Sequence, residues 1–209
     1  MSNQLKYDPF NLIITGVGGQ GNVMASRVLG NILSKKGYTI TIGETFGASQ
    51  RGGSVMSHLR ISSDTCFSPQ IPKNQAHMII ALEPTEALRV LANYGNEDVK
   101  VLCNKRPIHS VGVISGEQTY PELSQIMEWV HELSGQAWFI DATDQALKKM
   151  KKPIFGNIIL LGALAATDSV PFNREDFEEV ITASMPKDKI KINMMAYDMG
   201  REMILQTRQ

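Results

Sequence analysis

The sequence of 209 residues predicts a three-layer α/β/α fold built on a mostly parallel, mixed sheet. Three observations predict it. Short apolar or β-branched runs alternate with segments of helical periodicity. A glycine-rich turn, Gly16-Val17-Gly18-Gly19-Gln20-Gly21, joins the first such run to the first helix. No repeat, low-complexity tract or Pro/Gly/Ser linker interrupts the chain, so residues 1–209 are expected to form a single domain.

The apolar run Phe10 to Thr15 reads as the first strand. After the glycine turn a helix is expected from about Asn22 to Lys36. Val23, Met24, Arg27, Val28, Ile32 and Leu33 fall near helical spacing, with the Arg27 stem lying along that face. Gly37 is the stop. Tyr38 to Thr45 is rich in β-branched residues and reads as a strand. In Ser54 to Ser62, Val55, Ser57, Leu59 and Ile61 alternate onto one face. Ala76 to Leu82 reads as a buried strand, and Pro84 suits the first turn of a helix after it. Lys100 to Cys103 and Val111 to Ile114 read as two short strands close enough to pair antiparallel, which is the reason for expecting a mixed sheet. A helix over Pro121 to Leu133, closed by Gly135, precedes a strand over Ala137 to Asp141. From Thr143 onward the chain reads as helical. Asn173, with Asp176 three residues on, marks one helix start and Asn193 another.

Composition narrows the function. Hydrophobic residues make up 43% and charged residues 20%, as in an ordinary globular protein. Lys+Arg and Asp+Glu both number 21, so nucleic acid and acidic membrane surfaces are not expected as main partners. The first ten residues lack a signal-peptide pattern, and the apolar stretch Ile158 to Ala166 is too short to span a bilayer, so a cytoplasmic location is expected. Two cysteines, Cys66 and Cys103, supply neither a disulfide framework nor a four-cysteine cluster. His58, His77, His109 and His131 have no ligand spacing, so no metal site is expected on this chain.

Two loops carry the candidate chemistry. A strand, the turn Gly16 to Gly21 and a helix form the opening of a Rossmann-like fold. Glycines let the backbone approach an anion, and the helix N-terminus supplies free N–H groups and a positive dipole end. Glu44 lies roughly where a ribose-binding acid sits in a dinucleotide fold. Without a ligand, the same turn is simply a tight strand-to-helix connection. Gln20 donates to a phosphate or a partner carbonyl, or is solvated. The second loop, Gly43 to Ser54, carries four glycines and Arg51. Its guanidinium, beside Gly52 and Gly53, has a clear approach to a phosphate or carboxylate. Both loops are expected at strand C-terminal ends, where they converge on one surface.

The turn Gly-Val-Gly-Gly-Gln-Gly at 16–21 and the run Phe46-Gly47-Ala48-Ser49-Gln50-Arg51-Gly52-Gly53-Ser54-Val55, in this order and separation, resemble the gamma-type domain of the 2-oxoacid:ferredoxin oxidoreductases. Phe155-Gly156-Asn157, Leu161-Gly162-Ala163, and Asn193 with Ala196 and Gly200 extend the resemblance over nearly the whole chain. It looks most like the separately encoded small subunit of the enzymes that act on indolepyruvate.

The resemblance implies an oxidoreductase subunit, inactive alone, in a coenzyme A-dependent oxidative decarboxylation that reduces ferredoxin. It implies that thiamine diphosphate, Mg and iron–sulfur clusters sit on a large partner subunit, with coenzyme A as co-substrate and ferredoxin as an indirect partner. No catalytic residue is assigned to this chain. Gly16, Gly18, Gly19, Gln20 and Gly21 are expected to receive a coenzyme A phosphate at the subunit interface. Gln50, Arg51, Gly52 and Gly53 are expected to meet the same ligand or the partner. Glu44 is expected either to support the loop by pairing with Arg51 or to contact the ligand. Asn157 is expected to support the site as a helix cap, or to meet the partner. Two other readings stand beside this one: a stand-alone dinucleotide-binding oxidoreductase, and a non-catalytic nucleotide-binding module.

Overall fold

The computed structural model describes residues 5–47 and 53–207. Six strands form one sheet: β1 (Phe10–Val17), β2 (Thr39–Phe46), β3 (Ser54–Ser62), β4 (Met78–Ala81), β5 (Lys100–Asn104) and β6 (Gln136–Ile140). Their spatial order is β2-β3-β1-β4-β5-β6. β1, β4, β5 and β6 pair in parallel, whereas β3 is antiparallel to both β1 and β2. β3 alone therefore runs against the other five. The helices are α1 (Asn22–Lys35), α2 (Pro84–Tyr94), α3 (Val111–Ile114), α4 (Leu123–Glu132), α5 (Ala142–Met150), α6 (Gly156–Ala166), α7 (Arg174–Ser184) and α8 (Lys187–Thr207).

Each central strand feeds two cores because its side chains alternate between faces. In β1, Leu12 and Ile14 join α1 and α6 on one face, while Ile13 joins α2 and α4 on the other. Met78 and Ile80 of β4 and Leu102 of β5 face the first core; Ile79, Val101 and Cys103 face the second. A strand covered on both faces needs a continuous apolar run, and β1 is buried throughout. α6 is buried at ten positions and lies between the sheet and α8.

Two sequence expectations fail for identifiable reasons. Val111 to Ile114 is helix α3, not a strand. β5 already has β4 on one side and β6 on the other, so no edge is left for it to join. Ser110 caps α3, its Oγ accepting from Val113 N at 3.4 Å, and Gly116 at φ 81° follows its end. The sheet is mixed because of β3, which slots as a hairpin strand between β2 and β1. The last helix opens at Lys187, so Asn193 lies inside α8, buried, with Nδ2 donating to Lys189 O. The Asn173–Asp176 capping box at the start of α7 is present in full.

Candidate functional site

β1 leads into α1 on one face, and β4 leads into α2 on the other. The crevice beyond the C-terminal ends of β1 and β4 is therefore the topological switch point, where open α/β sheets take ligands. Gly16 to Gly21 lines one side of it.

The turn is braced from within. Gly18 N donates to Gly53 O at 2.8 Å, so the second loop meets the first here. Gln20 is half-buried, and both ends of its amide are engaged within the chain. Its Oε1 accepts from Val17 N at 2.7 Å, and its Nε2 donates to Leu82 O at 2.9 Å, pinning the turn to the end of β4. A Cβ at Gly16 would stand 2.6 Å from that Oε1, so a side chain there would displace the Gln20 brace. Gly19 (φ 103°) and Gly21 (φ 90°) hold left-handed conformations that favour glycine. Gly21 is the N-cap of α1, and no side chain caps that helix end.

Asn157 does not cap α6. It sits within the first turn of the helix, only 2% exposed, and Nδ2 donates back to Gln20 O and Gly21 O at 3.5 and 3.3 Å. A Cβ at Gly21 would overlap that nitrogen.

Of the second loop, Gln50, Arg51 and Gly52 lie outside the described residues; Gly53 and Gly47 flank them at the hairpin mouth. Glu44 lies on β2, opposite Ser57 of β3. With β3 between β2 and β1, Glu44 is about two strand spacings, roughly 10 Å, from the strand that carries the turn. In a dinucleotide fold the acid-bearing strand adjoins the turn-bearing strand. The ribose-acid role is thereby removed.

Several side chains at this edge are not evident from sequence. Glu86 Oε2 accepts from Ser54 Oγ at 2.6 Å and Thr15 Oγ1 at 3.2 Å, and from Arg89 Nε and Nη2 at 2.9 and 2.7 Å. It thus ties the start of β3, where the second loop ends, to β1. Glu83, fully buried, caps α2: Oε2 accepts from Glu86 N at 3.0 Å and Thr85 Oγ1 at 2.7 Å. Its Oε1 accepts from Tyr120 Oη at 2.6 Å and Ile108 N at 3.4 Å. Burial first, and then Glu83, hold the Tyr120 phenol well above the usual tyrosine range. Burial, reinforced by the Glu83 charge, likewise pushes the Cys103 thiol up, which keeps it protonated and unreactive. Asn104 joins three elements, donating from Nδ2 to Leu82 O and Thr143 Oγ1 and accepting from Thr143 N. The only advance signal for Glu83 was its place before Pro84 and three residues ahead of Glu86.

Together these elements surround a cavity of about 550 Å³. Leu82, Ile108, Leu147, Pro153, Ile154 and Leu160 supply its apolar walls; Val17 to Gln20, Arg106, Thr143 and Asn157 supply polar groups. Arg106 pairs with Asp144, both about half exposed. Among the described residues no group of three or more His, Cys, Asp or Glu converges as a metal site. Cys66 is exposed and Cys103 buried on β5, so these thiols do not suit a shared cluster. No helix among the described residues is long and apolar enough to cross a membrane.

The profile of the family described as pyruvate ferredoxin/flavodoxin oxidoreductase matches residues 11–203. The chain belongs to that family. It is 39% identical over 192 residues to indolepyruvate oxidoreductase subunit IorB of Pyrococcus horikoshii, covering 91% of this chain and 94% of that one. The subunit of the same name from Thermococcus kodakarensis is 36% identical, again over 91% and 94% of the two chains. The crystal structure of pyruvate oxidoreductase subunit PORC from Thermotoga maritima superposes with a TM-score of 0.69 at 22% identity, over 94% and 97% of the chains. That likeness concerns the fold. The family membership and the subunit-to-subunit coverage make this chain a small, gamma-type member of the 2-oxoacid:ferredoxin oxidoreductases.

Proposed function

We propose that this chain is the small subunit of a cytoplasmic, coenzyme A-dependent oxidoreductase acting on aryl pyruvates such as indolepyruvate, and that it is inactive alone. The reaction converts a 2-oxoacid anion, coenzyme A and two oxidised ferredoxins into the acyl thioester, carbon dioxide, two reduced ferredoxins and a proton. Thiamine diphosphate with Mg, on the large subunit, supplies the carbanion chemistry of decarboxylation; iron–sulfur clusters there carry the electrons. This chain's two cysteines do not suit a cluster, which fits that division of labour.

The observation that carries the reading is the uncapped N-terminus of α1, reached through Gly18 to Gly21, opening beside a cavity at the switch point. Backbone N–H groups and the positive end of α1 suit a phosphate of coenzyme A. Arg51, on the loop that meets Gly18 through Gly53, adds a charge-assisted contact. Glu86, itself held by Arg89, ties down Ser54 at the root of that loop.

The partner reading has separate support. Five of the eight large apolar side chains exposed among the described residues, Phe46, Ile108, Val111, Ile114 and Ile154, lie at this same edge, with Val111 83% and Ile114 75% exposed. Apolar side chains gathered on one edge suit a face covered in a complex. Arg51→Ala in the reconstituted complex is expected to raise the KM for coenzyme A with little change in kcat. Unchanged kinetics in a normally assembled complex would remove Arg51 from the ligand.

A further inference from the structure

The outer side of α8 carries charges in an order that disfavours a lone helix. α8 turns Tyr197 and Gly200 to α6. Its opposite side lies in a broad surface groove edged by α5 and α7. Lys187 and Lys191 stand one turn apart where that side begins, and Asp198 and Glu202 stand one turn apart toward its other end. Like charges at this spacing repel, and a cation at a helix N-terminus opposes the dipole. Asp198 is bonded to Arg174. The Lys187, Lys191 and Glu202 side chains are exposed and have no hydrogen bond or ion pair among the described residues.

The same order suits two such helices running antiparallel. Every α8 residue of the groove has a counterpart at equal distance on the other side of the Met194–Met195 peptide bond. Lys187 answers Glu202, and Lys191 answers Asp198. Ile190 answers Met199, and Met194 answers Met195. A two-fold axis through that bond, normal to the helix, sets each residue against its counterpart on a second copy. Cation then meets carboxylate toward both ends, and apolar meets apolar between. Met195, 45% exposed in the single chain, is covered at the centre. Asp198 keeps Arg174 and still accepts from a lysine, because a carboxylate offers about four lone-pair sites. Self-complementarity of this kind is the mark of an isologous contact. A partner of unrelated sequence requires opposite charge but no symmetry.

We propose that the outer face of α8 docks a second copy of this chain, packed antiparallel about the 194–195 bond, with Lys187 and Lys191 of each copy on Glu202 and Asp198 of the other. This face lies beyond α6 from the sheet and shares no residue with the cavity beside the glycine turn. Pairing therefore leaves the crevice and its apolar rim uncovered, and it is independent of the coenzyme A reading.

The test is sedimentation equilibrium of the full-length chain at about 100 μM, where the expected mass is twice the 23.1 kDa of one chain. Lys187→Glu reverses one pair toward each end of the contact and should weaken association about tenfold or more. Lys187→Glu combined with Glu202→Lys makes the facing charges opposite again and should bring the association constant back to within about threefold of the original. Lys187→Glu also suits a helix N-terminus better than the native lysine, so a loss of pairing there does not come from a loss of folding. Met195→Glu, at an exposed position, sets two carboxylates together at the centre and should give a monomer with native circular dichroism. An unaltered chain that stays monomeric overturns the proposal. A dimer that survives both Lys187→Glu and Met195→Glu overturns it too, as does failure of the charge-swapped double variant to restore pairing.

Discussion

Gly162 and Gly200 bring the backbones of α6 and α8 together more closely than any side chain permits. A Cβ on Gly162 would overlap the carbonyl of Tyr197, and one on Gly200 the carbonyl of Ile159. The obstacle in each case is backbone of a neighbouring helix, so relief requires the helices to part. Gly162→Ala is expected to destabilise the chain by about 3 kcal/mol or more, at the upper end of overpacking costs. At roughly 2–4 °C per kcal/mol for a chain of this size, calorimetry should show Tm lowered by about 10 °C. A loss under about 1 kcal/mol would mean that α6 and α8 do not meet at these glycines. The family resemblance drew on both glycines; their demand is now seen to be packing. The glycine turn was legible for a related reason, since Gly16 faces a crowded site and Gly19 and Gly21 hold left-handed backbone. The role of Gln20 was not, because its second partner, Leu82, is 62 residues away in sequence. Glu83 and Glu86 were illegible because acidic residues at a helix start read as ordinary caps.

At the scale of elements, the segment between β5 and α4 is held differently from the rest. α3 buries no residue, and Val111 and Ile114 point outward. Toward the sheet edge, Glu83 receives two of its contacts, from Ile108 N and Tyr120 Oη. Tyr120→Phe removes the shorter one and leaves a buried carboxylate one donor short, which should cost about 1.5–3 kcal/mol. Hydrogen exchange should then quicken across residues 105–122 while β4 and β5 keep their protection; equal quickening in the strands would show that Glu83 supports the core and not this segment. The phenol also titrates in a predictable direction. Its folded pKa is raised, so its contribution is fully present below about pH 10, the ordinary tyrosine value, and is lost above that as the unfolded chain ionises. Tyr120→Phe should therefore flatten part of the alkaline fall in stability. By contrast, Val111→Asp should change the stability of the isolated chain by no more than about 0.5 kcal/mol, as at any exposed site. The error over Val111 to Ile114 has its cause at this scale: β-branched residues suggested a strand, but strand formation needs a free edge, and sequence does not reveal that β6 has taken it.

For the molecule as a whole, alternation of strand and helix made the fold class legible, but the strand order was not. The insertion of β3 between β2 and β1 is a non-local choice. It carries the second glycine loop to the end of β1, and it also separates Glu44 from the turn. β3 brings one further consequence, through His58. This side chain is 1% exposed, packs edge-on to Tyr94, and accepts from Ile71 N at 3.3 Å through Nδ1. His77 accepts from Asn11 N in the same way at 2.9 Å, with its ring stacked on Tyr7. An imidazolium could accept neither bond. Burial lowers both pKa values below 6.5, and Lys6 adds repulsion at His77. Between the folded and unfolded pKa values the unfolded chain binds more protons, so stability rises with pH there. The contribution is complete above pH 6.5 and is lost as pH falls through the depressed values. The guanidinium midpoint should therefore be lower at pH 5.5 than at pH 7.5, and His58→Gln, which cannot titrate, should reduce the difference even if it lowers both midpoints. A midpoint that stays flat across that range, or an NMR titration placing His58 at or above 6.5, would mean that the imidazole is charged in the fold and that the Ile71 bond is not made.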